Sequence, residues 1–98
     1  MDRASAPASL WLGQNFPNPF NPSTAIEYTL AAPGRVRLSV FDVLGREIAI
    51  LADGDQAAGT HMVNFGPSSV TVPLSSGVYI LRLTAGDFQL TRRMALIR

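Results

Sequence analysis

The sequence contains no cysteine. Disulfide staples, thiol nucleophiles and thiolate zinc sites are therefore excluded, while the redox compartment stays open because secreted domains need not contain cystine. Histidine occurs once, and charged residues make up only 15% of the 98 positions. The formal charge is +1 and the basic residues are scattered apart from a late cluster, so no basic patch marks a nucleic-acid footprint. Long apolar runs are missing too. Stretches such as residues 48–52 and 94–97 fall far short of the roughly 20 residues that span a bilayer, and the start lacks the apolar core of a signal peptide. The chain is expected to be soluble, without direct membrane insertion. Sustained apolar spacing at i, i+3, i+4 is also absent, which argues against helices.

What the sequence does contain is two-residue alternation between turns marked by glycine, proline and aspartate. In "TAIEYTL", residues 24–30, Ile26, Tyr28 and Leu30 share a face. In "RVRLSVFD", Val36, Leu38 and Val40 oppose Arg35, Arg37, Ser39 and Phe41, the pattern of a sheet with one wet face. Gly45 suits the positive φ of a short hairpin loop, and residues 46–51 return as the partner strand. "ADGDQAAG" is expected to be a loop, with room for one helical turn. Residues 60–65, 78–85 and 88–97 read as further strands, and a short edge strand is expected around residues 70–72, stopped by Pro73. Six to seven short strands in about 100 residues predict an all-β, immunoglobulin-like sandwich of two antiparallel sheets. The compact domain is expected over residues 10–98. Residues 1–9, "MDRASAPAS", read as a linker, and the whole as the tail piece of a longer protein.

Between linker and first strand stands "NFPNPFNPST", residues 15–24. Proline fixes its own φ and biases the preceding residue toward extended backbone, so Phe16, Asn18 and Asn21 are pushed to β or polyproline II geometry. Asparagine side chains there favour an Asx-type turn. The result is a stiff segment whose Phe16 and Phe20 are expected to plug the sandwich. Trp11, ahead of the expected first strand, is expected to cover one end of it.

Chemistry-bearing clusters are scarce. His61 lies within a strand with no partner acid beside it, and reads as a half-exposed strand histidine. Asp53 and Asp55 flank Gly54, but the further oxygen ligands of a calcium loop are absent at the required spacing. Ser75-Ser76-Gly77 has no base within reach in sequence, and proline disqualifies Asn21-Pro22-Ser23 as a glycosylation acceptor. No enzyme activity, cofactor or metal is expected. A sugar-binding platform would need exposed aromatics in line. Phe41 faces away from the apolar side, and the pattern leaves Trp11 and Phe16 unassigned.

"NFPNPFNPSTAIEYTL", "GRVRLSVFDVLGREIAIL", "AAGTHMVNF", "LSSGVYILRL" and "TRRMALIR", in that order, resemble the C-terminal sorting domain of proteins exported by the type IX secretion system. The likeness covers roughly residues 12–98, and the immunoglobulin-like domain of the flagellar hook-capping protein shares much of the pattern. The resemblance implies an address rather than an activity. It implies passage through the periplasm, recognition by the outer-membrane secretion machinery, and delivery to the cell surface or medium. Removal by a sortase-like protease within or near residues 1–14 is implied as well. Candidate recognition residues are Asn15, Pro17, Asn18, Pro19, Phe20, Asn21 and Pro22 in the stiff segment, and Asp42, Gly45 and Arg46 in the hairpin. Arg92, Arg93, Met94 and Arg98 are candidates at the end.

Arg92 shares a face with Phe88, Leu90, Met94 and Leu96. A charge there implies a bulge, a sheet edge or a partner. An edge could accept a receptor strand by β-addition, or pair two copies in a weak homodimer. Asp42 and Arg46 are expected first to shape the turn. The alternative functions are a carbohydrate-binding accessory module and a purely structural immunoglobulin-like spacer.

Overall fold

The computed structural model describes residues 10–98, so the linker expected over residues 1–9 lies outside the described residues. Seven strands run in chain order β1 (Leu10–Leu12), β2 (Thr24–Leu30), β3 (Gly34–Phe41), β4 (Glu47–Gln56), β5 (Gly59–Phe65), β6 (Gly77–Ala85) and β7 (Phe88–Leu96). They form a three-stranded sheet of order β1-β2-β5 and a four-stranded sheet of order β4-β3-β6-β7, with every pairing antiparallel. This is the expected immunoglobulin-like sandwich. Alternation carries it. Ile26, Tyr28 and Leu30 from one sheet and Val36, Leu38, Val40, Leu81 and Leu83 from the other are all buried between the layers. Phe65 sits between Phe20, whose ring is 5.9 Å away edge-on, and Tyr79 at 6.3 Å.

Three local expectations are corrected. The "ADGDQAAG" stretch is not a loop with a helical turn, because β4 continues through it to Gln56. Asp53 and Asp55 face solvent opposite Arg37 and Arg35 in the register, and Asp53 accepts from Arg35 at 3.0 Å and Arg37 at 3.1 Å. Turn-forming residues thus become the wet half of a strand, and Gly54 supplies the φ of +145° that the twist there demands. Secondly, no strand forms at residues 70–72. A single 3-10 turn at Pro67–Ser69 takes up the chain, with Ser69 N–H donating to Gly66 O at 2.9 Å, and Leu74 then drops into the core. Gly66 is needed here, since a Cβ would lie 2.7 Å from that of Ser23. Thirdly, Trp11 belongs to β1 rather than preceding the first strand, and lies on the outer face of its sheet rather than over an end.

Strand directions set two poles. The chain enters at Leu10 beside Leu30, next to the turn that leads to Gly34. The opposite pole gathers Thr24, Phe65, Phe41, Gly77 and Leu96 at the far ends of their strands.

Candidate functional site

The distal pole holds most of the residues singled out by sequence. Residues 15–22 cross it as a strap from β1 to β2. Phe16 exchanges two backbone bonds of 2.9 Å with Ala25, and the strap then turns toward the other sheet. There Phe20 N–H donates to Ala95 O at 2.9 Å, Ile97 N–H donates to Phe20 O at 3.0 Å, and Ala95 N–H donates to the Asn18 carboxamide at 3.0 Å. The strap therefore substitutes for a neighbouring strand along the end of β7. The peptide bonds before Pro17, Pro19 and Pro22 are cis.

Asn15 is buried, and its amide donates to Pro17 O at 3.0 Å and to the Thr24 hydroxyl at 3.1 Å. That is a local asparagine-anchored turn of the kind expected, but held from the inside. Phe20 plugs the core at 1% exposure, whereas Phe16 does not: it points outward at 80% exposure, which corrects the pairing of the two as plugs. Pro17, Asn18, Pro19, Asn21 and Pro22 are exposed.

The last strand resolves the question raised by Arg92. Pairing of β6 with β7 runs without a register shift, so there is no bulge, and β7 is an edge strand. Arg92 turns toward the neighbouring sheet and its Nε donates to Leu12 O at 2.9 Å, tying β7 to β1 across the open side of the sandwich. Gln14, which the sequence pattern did not single out, donates from its side chain to Arg93 O at 2.7 Å. From Arg93 to Ile97, then, the outward edge of β7 is already bonded. Met94 is buried and Arg93 exposed. Arg98 donates from its backbone to Ser76 Oγ at 3.0 Å and from its guanidinium to Leu74 O. Arg98, Asn21 and Pro22 line one small hollow together with Leu74 and Leu96.

The β3–β4 hairpin reaches the same pole on the other side. Asp42 Oδ1 accepts from the N–H groups of Leu44 at 2.9 Å and Arg46 at 3.0 Å, and Oδ2 accepts from Arg46 Nε at 2.8 Å. Gly45 adopts φ +83° so that its N–H reaches Asp42 O at 3.0 Å. Asp42, Gly45 and Arg46 are thus brought together as one turn. A groove of about 550 Å³ lies between them and the loop from Thr71 to Ser76. The loop from Thr71 to Ser76, read from the sequence only as a connection, is a part of this pole that the sequence reading did not place there. Its one signal was Leu74, an apolar residue stranded between Pro73 and two serines.

The Asp42 carboxyl is held below the usual carboxylate range, chiefly by the Arg46 N–H and further by the Arg46 side chain and the Leu44 N–H. A lowered folded value means that its stabilisation is complete above the unfolded carboxylate value near pH 3.9 and is lost as pH falls through the folded one. Asp42→Asn is therefore expected to lower the melting temperature at neutral pH, with the gap to the parent closing toward pH 2. Melting curves across pH 2 to 7 check this, and a gap that does not change with pH would contradict it.

Elsewhere the chemistry is sparse. His61 is half-buried as expected, stacked on Tyr28 at 5.2 Å with its Nε2 2.8 Å from Ala57 O. Burial pushes the Tyr28 hydroxyl up, and the hydroxyl bonds to the Gln56 side chain. Among the described residues no group of three or more acidic or histidine side chains could hold a metal ion, and no helix is long and apolar enough to cross a membrane.

The described residues thus form a small immunoglobulin-like sandwich, one pole of which is fastened by its own strap and last strand. The chain belongs to the secretion system C-terminal sorting domain family, whose model matches residues 14–97. No curated protein matches the sequence. Membership makes the domain a sorting signal for type IX secretion, which carries its protein across the outer membrane to the cell surface or the extracellular space by contact with the secretion machinery.

Proposed function

We propose that the domain acts as a non-catalytic address whose strapped pole is the part read by the export machinery. The observation that carries this reading is the bonding of residues 15–22 to β7, which holds Asn18, Pro19, Asn21 and Arg93 in one fixed surface. A segment already rigid loses less entropy when a receptor docks on it. Asn15, Phe20 and Met94 act from beneath, as the packing that sets this surface. The Asp42–Arg46 hairpin and Arg98 flank it. β-Addition by a receptor, or weak pairing of two copies, belongs to this proposal only along the first half of β7, because the second half is bonded to the strap. A sortase-like cysteine protease then cuts within or near residues 1–14 and removes the domain from its cargo.

The test places residues 1–98 behind a periplasmic reporter in a host that has this export system. The reporter is expected at the cell surface, trimmed near the junction, and the exposed double substitution Asn21→Ala with Arg93→Glu is expected to leave it in the periplasm. Failure of the intact domain to deliver the reporter would refute the address, and delivery without trimming would refute the proteolytic step alone.

A further inference from the structure

The outer face of the three-stranded sheet exposes two aromatic side chains, Trp11 and Phe16. Three cross-strand rows stand on it: Trp11, Thr29 and Thr60; Gly13, Glu27 and Met62; Phe16, Ala25 and Asn64. Trp11 is 47% and Phe16 80% exposed. Their alignment is imposed by the backbone. Between Gly13 and Phe16 the first strand carries one residue more than β2 does between Glu27 and Ala25, so two residues oppose one in the manner of a β-bulge. That extra residue turns Asn15 inward and returns Phe16 to the outside, where plain alternation would have done the reverse. Gly13 completes the arrangement. A Cβ there would lie 2.6 Å from Trp11 Cη2, so the six-membered ring of the indole lies across Gly13, on the line toward Phe16.

We propose that this face binds a neutral polysaccharide chain lying along β1, with sugar rings stacked on Trp11 and Phe16. The apolar C–H face of a pyranose matches a flat aromatic ring, and its hydroxyls need donors and acceptors close by, which Thr29, Thr60, Glu27 and Asn64 supply on the neighbouring strands. The rows of Trp11 and Phe16 are about 13 Å apart along the strand, the reach of a short oligosaccharide rather than of one ring. Charge narrows the class. The face carries one carboxylate, Glu27, and no cation, so anionic glycans and nucleic acids are disfavoured. The site is separable from the sorting reading: Phe16 alone of its residues belongs to the strap, where it points away from β7 and bonds Ala25, and Asn21 and Arg93, which test the address, are not part of it.

Trp11 is the only tryptophan in the chain, so its fluorescence reports directly on the site. Titration of the whole chain with a soluble β-1,4-glucan hexasaccharide, a xylan oligosaccharide and an α-1,4-glucan is expected to give a saturable change in Trp11 emission with at least one of them. Phe16→Ala is expected to weaken that binding about tenfold while leaving the melting temperature unchanged. The proposal is overturned by any of four results: no saturable change with all three glycans, equal binding by Phe16→Ala, tighter binding of polygalacturonate than of the neutral chains, or self-association in sedimentation that Phe16→Ala abolishes.

Discussion

Replacing Phe20 with alanine is expected to lower the unfolding free energy by about 3 to 5 kcal/mol, the range for a buried phenylalanine whose site collapses only in part. Phe20 is 1% exposed and its ring meets Phe65 edge-on, so the vacated volume opens between the two sheets. Its backbone holds Ala95 and Ile97, so a cavity here also loosens the strap where it substitutes for a strand. Urea unfolding followed by circular dichroism measures the effect as a fall in midpoint at unchanged slope. Phe16, four residues earlier in the same proline-rich segment, provides the contrast. Its ring is in solvent, and Phe16→Ala is expected to shift stability by no more than about 0.5 kcal/mol. A large loss at Phe16 or a small one at Phe20 would mean that the strap is seated differently.

Deleting residues 94–98 is expected to leave the chain unfolded at 25 °C. Met94 and Leu96 are 1% and 3% exposed. Losing such side chains costs about 2 to 5 kcal/mol each when only truncated to alanine, against the 5 to 15 kcal/mol that holds a typical domain together. The deletion also strips from the strap two backbone bonds and the bond to the Asn18 side chain, and exposes the edge of β6. Far-ultraviolet circular dichroism and proton spectra of the truncated chain check this, and a cooperative melt would refute it. Loss of export on such a truncation would then report unfolding rather than a missing address. The exposed substitutions at Asn21 and Arg93 separate the two.

Much of the fold was legible because the core obeys the pleat. Alternation in "TAIEYTL" and "RVRLSVFD" placed β2 and β3 within a residue of their observed limits, and the strand count gave the sandwich. The misses share one physical cause. Residue preferences describe the chain locally, whereas β4 continues through Asp53, Gly54 and Asp55 because Arg35 and Arg37 wait on the neighbouring strand. Residues 70–72 fail to form a strand because Leu74 and the turn at Ser69 claim the backbone first. The candidate residues were legible as types but not as a surface. Nothing in "NFPNPFNPST" states that Asn18 will reach Ala95, 77 positions onward, or that Phe16 will face out while Phe20 faces in. The misplaced Arg92 came nearest to a tertiary signal, since a cation on an apolar face had to find an acceptor, and the Leu12 carbonyl is that acceptor.

Leu10 joins the sheet beside Leu30, whereas the strap and Leu96 close the other end, about 24 Å away along the seven residues of β2. On the proposed reading a receptor grips the bow, while Leu10, through which any preceding cargo connects, sits at the stern. On that reading a bulky passenger and its carrier need not jostle for space, and a blade working at the junction can do so while the tag is still held.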